Sequence, residues 1–99
     1  MLTVIETEQF TEWLTNLKDR VTRSRLIVRL AKARAGNLGD VRPVGEGVFE
    51  MRSFFGPGWR MYYVQRDGAI IFMLGGGDKS SQTKDIEQAR RRAKELDTP

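Results

Sequence analysis

Apolar side chains in the first part of the chain recur with the spacing of an α-helix. A stripe at positions i, i+3, i+4 and i+7 is formed by Phe10, Trp13, Leu14 and Leu17. A second helix is predicted over residues 21–35, and its buried side is expected to hold Leu26, Ile27 and Leu30. The link at residues 18–20 is short, so the two helices are expected to pack as an antiparallel hairpin. Alternation at Leu2 and Val4 predicts a short strand ahead of this hairpin.

The second half of the chain shows mainly the period-two pattern of β-strands. Residues 38–47 are predicted as a loop, with an edge strand around residues 41–44 as the alternative, and strands are predicted over residues 48–53, 59–65 and 69–74. The run 69–74 is apolar throughout, as expected of a central strand that is buried on both faces. The Asp67-Gly68 pair ahead of it is typical of a two-residue hairpin turn.

The last part of the chain returns to a helical pattern. The run Gly75-Gly76-Gly77 is expected to leave the last strand, and a helix is predicted over residues 83–96. The predicted element order is β-α-α-β-β-β-α. It indicates an α+β fold in which a helical hairpin packs on a small, mostly antiparallel sheet and a C-terminal helix follows. We expect one domain spanning residues 1–99.

Composition narrows the chemistry that this chain can perform. The 99 residues include neither cysteine nor histidine, and 17 Lys and Arg outnumber 13 Asp and Glu, which gives a pI near 9.9. A disulfide framework, a zinc site built on His or Cys and a Ser-His-Asp triad are therefore excluded, and we expect neither a metal nor a cofactor. The acidic start of the chain and the lack of an apolar leader or of a run of about 18 apolar residues predict a cytoplasmic protein without membrane contact.

Positive charge is concentrated in two segments. Residues 18–34 hold seven Lys and Arg side chains against Asp19 alone, and residues 79–94 hold six against two acids. Such segments attract RNA phosphates and equally an acidic protein partner, whereas many exposed helix faces carry these charges without any partner. The candidate RNA contacts in these segments are Arg25, Arg29, Lys32 and Lys84.

Strand alternation places four polar side chains on one face of the predicted sheet. If the strands on either side of residues 54–58 pair with each other, their shared face carries Glu50, Arg52, Arg60 and Tyr62. Lys79 follows the end of the neighbouring strand and is expected to overhang the same surface. The sequence therefore predicts a candidate site on this face.

The side chains of this candidate site suit a phosphodiester substrate. Guanidinium groups match pairs of phosphate oxygens, and together with an ammonium they stabilise the charge of a five-coordinate transition state. Glu50 or Lys79 is a candidate to take the 2′-hydroxyl proton of RNA, and Tyr62 is a candidate to stack a base or to give a proton. The alternative is that Glu50 and Arg52 only form ion pairs across the sheet with Arg60.

Three stretches of the sequence resemble one known group of proteins. They read GNLGDVRPVGEGVFEMR at residues 36–52, GPGWRMYY at residues 56–63 and LGGGDKSSQTKDI at residues 74–86, with Ala89 after the third. In these stretches the chain resembles HigB-like addiction-module toxins of the RelE/ParE superfamily. With the helical hairpin included, the resemblance extends over nearly the whole chain.

The resemblance implies the toxin of a type II toxin–antitoxin pair. RelE-like and HigB-like members of the superfamily cleave messenger RNA on the ribosome, whereas ParE-like members inhibit DNA gyrase and cleave nothing. Members are silenced by an antitoxin protein, which in the HigB-like branch is usually a helix-turn-helix protein that brings the complex to its own operator DNA. The implied partners are therefore an antitoxin, the ribosome and mRNA, with DNA gyrase as the alternative target.

The resemblance also implies roles for individual residues. Arg60 matches the arginine that contacts the phosphate, Lys79 matches the basic residue at the scissile phosphate, and Arg52 and Glu50 match polar positions of the preceding strand. The chain departs from the family in two ways, because nothing aromatic follows Phe72 and the final helix is long, whereas many ribonuclease members carry a Tyr or His near the C-terminus. These departures leave the general acid and base unassigned, and they keep open a gyrase inhibitor or a toxin that only binds its antitoxin.

Overall fold

The computed structural model describes residues 1–97, and its strands and helices follow the predicted order with one further strand at residues 41–43. The elements are β1 (Thr3–Glu6), α1 (Glu8–Thr15), α2 (Arg20–Arg34), β2 (Val41–Pro43), β3 (Val48–Ser53), β4 (Trp59–Arg66), β5 (Ile70–Asp78), a 3₁₀ turn (Lys79–Ser81) and α3 (Gln82–Leu96). This order confirms the predicted α+β class with its helical hairpin and C-terminal helix. Within residues 1–97, no helix is both long enough and apolar enough to cross a membrane.

The strands form one sheet in the spatial order β1-β5-β4-β3-β2. β1 runs parallel to β5, and the β5–β4, β4–β3 and β3–β2 pairs are antiparallel, so the sheet is mostly antiparallel as predicted. The register shifts between Tyr62 and Tyr63, where β4 pairs with β5. β2 is the edge strand that the sequence suggested.

Polar side chains fix where the two helices of the hairpin begin. The Thr7 hydroxyl accepts a hydrogen bond from the Phe10 N–H at 3.3 Å. The Asp19 carboxylate accepts from the Val21 N–H at 3.2 Å and from the Thr22 hydroxyl at 2.7 Å. These caps satisfy N–H groups that have no partner inside the first turn of a helix.

The prediction that Ile27 of α2 lies in the core is wrong. Ile27 remains 48% exposed, whereas Leu26 and Leu30 are buried as predicted. The buried positions of this helix are Thr22, Leu26, Leu30 and Ala33. This spacing follows a single face of the helix, and Ile27 lies about 100° away from Leu26.

Helices cover both faces of the sheet. The hairpin packs on one face, where the buried cluster includes Phe10, Leu14, Leu26, Leu30, Met51, Met61, Tyr63, Ile71 and Met73. α3 packs on the other face, where the buried cluster is formed by Val48, Tyr62, Val64, Leu74, Ala89 and Ala93. The face that carries the predicted polar site therefore lies beneath α3.

The three consecutive glycines belong to β5, which corrects the prediction that they leave the strand. A Cβ on Gly75 would lie 2.6 Å from the Arg92 guanidinium, and one on Gly77 would collide with the Asp85 carboxylate. A Cβ on Gly76 would lie 2.7 Å from Trp13 Cζ2 and closer still to two neighbouring ring carbons. The strand continues through the glycines because side chains from α1 and α3 approach its backbone directly, and only glycine leaves room for them.

We expect Gly76→Ala to lower the free energy of unfolding by about 1–3 kcal/mol, measured by urea denaturation, because the new methyl group overpacks a filled site. The Trp13 ring cannot move away freely, since it contacts the Phe10 and Trp59 rings at centroid distances of 5.8 and 6.4 Å. In a Trp13→Phe background the same substitution is expected to cost less, because the smaller ring leaves space. An equal cost in both backgrounds would contradict this explanation.

Candidate functional site

Glu50 is the buried centre of a polar cluster that joins β2, β3, β4 and α3. Its side chain has no exposed surface. One carboxylate oxygen accepts a hydrogen bond from Arg42 Nε at 3.1 Å. The other accepts from Gln82 Nε2 at 2.9 Å and from the Tyr62 hydroxyl at 3.3 Å, and Arg60 Nε is 3.6 Å from it. We call these five residues the Glu50 cluster.

Sheet register and the start of α3 bring the Glu50 cluster together. Arg42 of β2 and Tyr62 of β4 each lie directly opposite Glu50 in the antiparallel register. Gln82 is the first residue of α3 and reaches Glu50 from the helix that covers this face. The strand alternation therefore predicted the shared face of Glu50, Arg60 and Tyr62 correctly, but the face is closed rather than open.

This geometry argues against Glu50 as the general base. Both carboxylate oxygens are held by donors of the protein, and no part of the side chain is exposed to a substrate. A buried carboxylate is costly unless it is paired and hydrogen-bonded, and here it is both. Glu50 instead anchors the Arg60 guanidinium and joins the first turn of α3 to the sheet.

Tyr62 is buried beneath α3, so its ring cannot stack an RNA base in this structure, which corrects that prediction. Burial, and then the negative charge of Glu50, raise the pKa of the Tyr62 phenol far above its usual value. Tyr63 points to the opposite face and stacks on Phe49 at a centroid distance of 5.6 Å. Burial also raises the pKa of Tyr63.

Both tyrosines of the chain should therefore titrate late, and we expect the tyrosinate absorbance of the native protein to rise at higher pH than that of the urea-unfolded chain. The unfolded phenols lose their protons near pH 10. Below that pH these groups leave stability constant, and above it the free energy of unfolding falls as pH rises toward the native pKa values. Tyr62→Phe is expected to weaken this fall. A native phenol that titrates near pH 10 while the protein stays folded would contradict the assignment.

Arg60 and Lys79 both border Gly58, on the loop between β3 and β4. Arg60 is only 8% exposed, and its Nη1 donates to the Gly58 carbonyl at 2.9 Å. A Cβ on Gly58 would lie 3.1 Å from Arg60 Nη1 and 3.8 Å from Lys79 Cβ, so both side chains border this glycine. Lys79 is exposed at the start of the 3₁₀ turn. Hydrogen bonds from Ser80, with a smaller effect of the Arg60 charge, lower the pKa of the adjacent Asp78 carboxyl.

Arg52 does not join the two cations at Gly58. Its Cα lies opposite that of Arg60, on the face that strand alternation predicted. However, its Nη2 donates to Asp40 Oδ1 at 3.1 Å, and its guanidinium lies 5.2 Å from the centroid of the Phe54 ring. Of the three predicted cations, Arg60 and the Cβ of Lys79 border Gly58, whereas Arg52 pairs with Asp40 near α2, so the predicted convergence of all three is wrong.

Arg29 is held inside the fold, which corrects its prediction as an RNA contact. Its guanidinium donates to the carbonyls of Leu38, Asp40 and Arg52 and to the Ser53 hydroxyl, at distances of 2.6–3.3 Å. Burial lowers its pKa. Arg29 thus ties α2 to the segment before β2 and to the end of β3, and few of its donors remain for a ligand.

The other predicted RNA contacts lie in two separate places. Arg25 and Lys32 are exposed on α2, where the Arg25 guanidinium lies 4.3 Å from the centroid of the Phe55 ring. Lys84 is exposed in the first turn of α3, next to the half-buried Asp85, whose pKa is raised by burial. Among these candidates, only Lys84 belongs to the same region of the chain as Lys79.

Sequence reasoning missed two members of the Glu50 cluster. Arg42 could have been found, because pairing of the predicted edge strand with the next strand places it opposite Glu50. Gln82 gave no such signal, since the sequence does not say which side of the sheet the last helix covers.

Two solved structures to which this chain is similar are those of the E. coli toxin RelE and of its complex RelBE. The E. coli toxin RelE, solved as a mutant in the free state, is 14% identical with a TM-score of 0.70, and the match covers 92% of this chain and 96% of RelE. The toxin chain matched in the intact E. coli RelBE toxin–antitoxin complex is also 14% identical, with a TM-score of 0.63, and the match covers 79% of this chain and 96% of that one. The chain therefore has the RelE fold, whereas the finer HigB-like assignment stays a prediction.

Sequence comparison finds a relative with higher sequence identity than these structures. No protein family model matches the chain. An uncharacterized protein of Haemophilus influenzae is 40% identical over 87 residues, which are 88% of this chain and 88% of that protein. The chain belongs to the same protein family as this Haemophilus protein.

Proposed function

We propose that the chain is the toxin of a type II toxin–antitoxin pair and that it cleaves messenger RNA on the ribosome. The observation that carries the proposal is that the Arg60 guanidinium and the Cβ of Lys79 both border Gly58 on a chain with the RelE fold. An antitoxin partner is supported by the match to the RelBE toxin–antitoxin complex. We expect this antitoxin to be a helix-turn-helix protein that links the pair to its operator DNA.

Arg60 and Lys79, the two cationic residues that border Gly58, suit the cleavage of RNA by its own 2′-oxygen. The 2′-oxygen attacks the adjacent phosphorus and the bond to the 5′-oxygen breaks, which leaves a 2′,3′-cyclic phosphate and a 5′-hydroxyl. One proton leaves the 2′-hydroxyl and one reaches the 5′-oxygen. We assign the stabilisation of the developing phosphate charge to the Arg60 guanidinium, whose Nε lies 3.6 Å from Glu50 and whose Nη1 donates to the Gly58 carbonyl. Lys79 is the exposed group that can add charge or carry one of these protons.

Lys84 adds another cation on the first turn of α3. It is exposed and lies five residues after Lys79 in the sequence. We propose that Lys84 contacts the RNA backbone. Such a contact contributes affinity that falls with salt and carries no sequence information.

Primer extension on a defined message tests the proposed function. The purified protein is expected to cut this message when it is bound to ribosomes and to leave the naked message intact. Cleavage is expected to stop when the cognate antitoxin is added. Intact ribosome-bound message together with inhibition of DNA supercoiling by gyrase would overturn the proposal.

A further inference from the structure

A groove of about 500 Å³ lies between α2 and the loop that joins β3 to β4. We call it the α2 groove. Its lining comes from the outer side of α2, from Asp40 and from the end of β3 with the two phenylalanines that follow. The Glu50 cluster, Gly58 and Lys79 lie outside this lining, so the groove is separate from the proposed cleavage point.

Cations surround the α2 groove. Arg25 lies over the Phe55 ring and Arg52 over the Phe54 ring, at 4.3 and 5.2 Å from the ring centroids. Lys32 adds a third cation, and the acid in the lining, Asp40, is already paired with Arg52. The groove is therefore complementary to a negatively charged partner.

The apolar part of the α2 groove favours a protein over RNA. Phe54 is 72% exposed and Val28 is 53% exposed, although both line the groove. Val21, two helical turns before Val28 on the same side of α2, is 65% exposed and extends the apolar surface. Bases stack on aromatic rings, but exposed valines are covered by the aliphatic or aromatic side chains of a protein partner.

We infer that the α2 groove binds an acidic, amphipathic segment of a partner protein. Its apolar side chains cover Val28 and Phe54, and its carboxylates pair with Arg25 and Lys32. This arrangement is the usual way in which an amphipathic helix is held in a groove. The inference rests on the proposed function only for the identity of the partner: if the chain is a toxin, the segment belongs to its antitoxin.

Fluorescence anisotropy with three labelled probes tests the inference on the full chain. The first probe is a short helical peptide with glutamates on one side and leucines at i, i+3, i+4 and i+7 on the other. The second replaces its leucines with serine and keeps the charge, and the third is a short single-stranded RNA. We expect the first peptide to bind at least about tenfold tighter than the second.

Val28→Ser is expected to weaken binding of the leucine peptide by about tenfold, and Phe54→Ser to have a similar effect. The matched control is Ile27→Ser, because Ile27 is the next residue of α2 and is almost equally exposed but does not line the groove. We expect this control to change binding by less than about twofold. Chemical-shift changes at Ser24 and Val28 on addition of the peptide would locate it in the groove.

Two outcomes would overturn the inference. Equal binding of both peptides would mean that charge alone attracts them. RNA binding that depends on Phe54 while the leucine peptide shows no preference would assign the groove to nucleic acid. Peptide binding is measured without ribosomes or cleavage, so a failure of the proposed nuclease activity leaves this test intact, and the reverse also holds.

Discussion

We expect Glu50→Ala to lower the free energy of unfolding by about 3–5 kcal/mol, because it removes the partner of a buried guanidinium. Arg60 is almost fully buried, and Glu50 is the carboxylate within ion-pair distance of its Nε. The Tyr62 hydroxyl and the Gln82 amide lose their acceptor at the same time. Chemical denaturation followed by tryptophan fluorescence measures the change, and Glu50→Gln, which keeps the shape and one acceptor, is expected to cost less.

A matched control for this substitution is Glu46→Ala. Glu46 also pairs with two cations, Arg90 at 3.8 Å and Lys94 at 3.0 Å, but about half of its side chain is exposed. Exposed ion pairs contribute about 0–1 kcal/mol, so the control is expected to be nearly neutral. If Glu50→Ala destabilises the protein no more than Glu46→Ala, the Glu50 cluster does not hold α3 on the sheet.

Strand alternation was enough to predict the most informative feature of the site. It placed Glu50, Arg52, Arg60 and Tyr62 on one face, and the register sets Glu50 opposite Tyr62 and Arg52 opposite Arg60 on that face. Alternation succeeds because successive side chains of a strand point to opposite faces of the sheet, independently of how the other elements pack.

The closure of that face could not be predicted from the same pattern. The apolar stripe of α3 shows that the helix has a buried side, but the two sheet faces offer apolar positions of similar kind. α3 lies on the face of Tyr62, where Ala89 and Ala93 allow close packing. As a result, Glu50 and Tyr62 are structural groups rather than groups that meet a substrate.

Contacts between side chains and partners that are distant in sequence could not be predicted either. Arg29 has the helical spacing of a basic stripe, yet its guanidinium binds carbonyls between Leu38 and Arg52. The glycines of β5 read as the end of a strand, because the sequence does not reveal that Trp13 packs against Gly76. Periodicity reports which direction a side chain takes, whereas these contacts depend on how the elements are assembled.

Loss of Lys79 is expected to have the largest effect on activity. Under the proposed function, Lys79→Ala should reduce cleavage of ribosome-bound message by about a hundredfold to a thousandfold, because one positioned group that stabilises transition-state charge contributes about that much. Lys79 is exposed, so the substitution is expected to leave folding unchanged. Single-turnover cleavage on programmed ribosomes measures the rate, and Lys18→Ala, at an exposed lysine in the link between α1 and α2, is the matched control.

Lys79→Arg separates the two roles open to this residue. Arginine keeps the positive charge but does not release its proton at neutral pH, so recovery of most of the rate would assign Lys79 to charge stabilisation, whereas a rate as low as that of Lys79→Ala would assign it to proton transfer. Arg60→Ala is expected to slow cleavage as well, but it also leaves Glu50 without one of its cations, so its stability must be measured alongside. If a double variant of Lys79 and Arg60 remains folded and cleaves at the wild-type rate, these two residues do not take part in the mechanism. An unchanged rate would mean that neither of them stabilises the transition state.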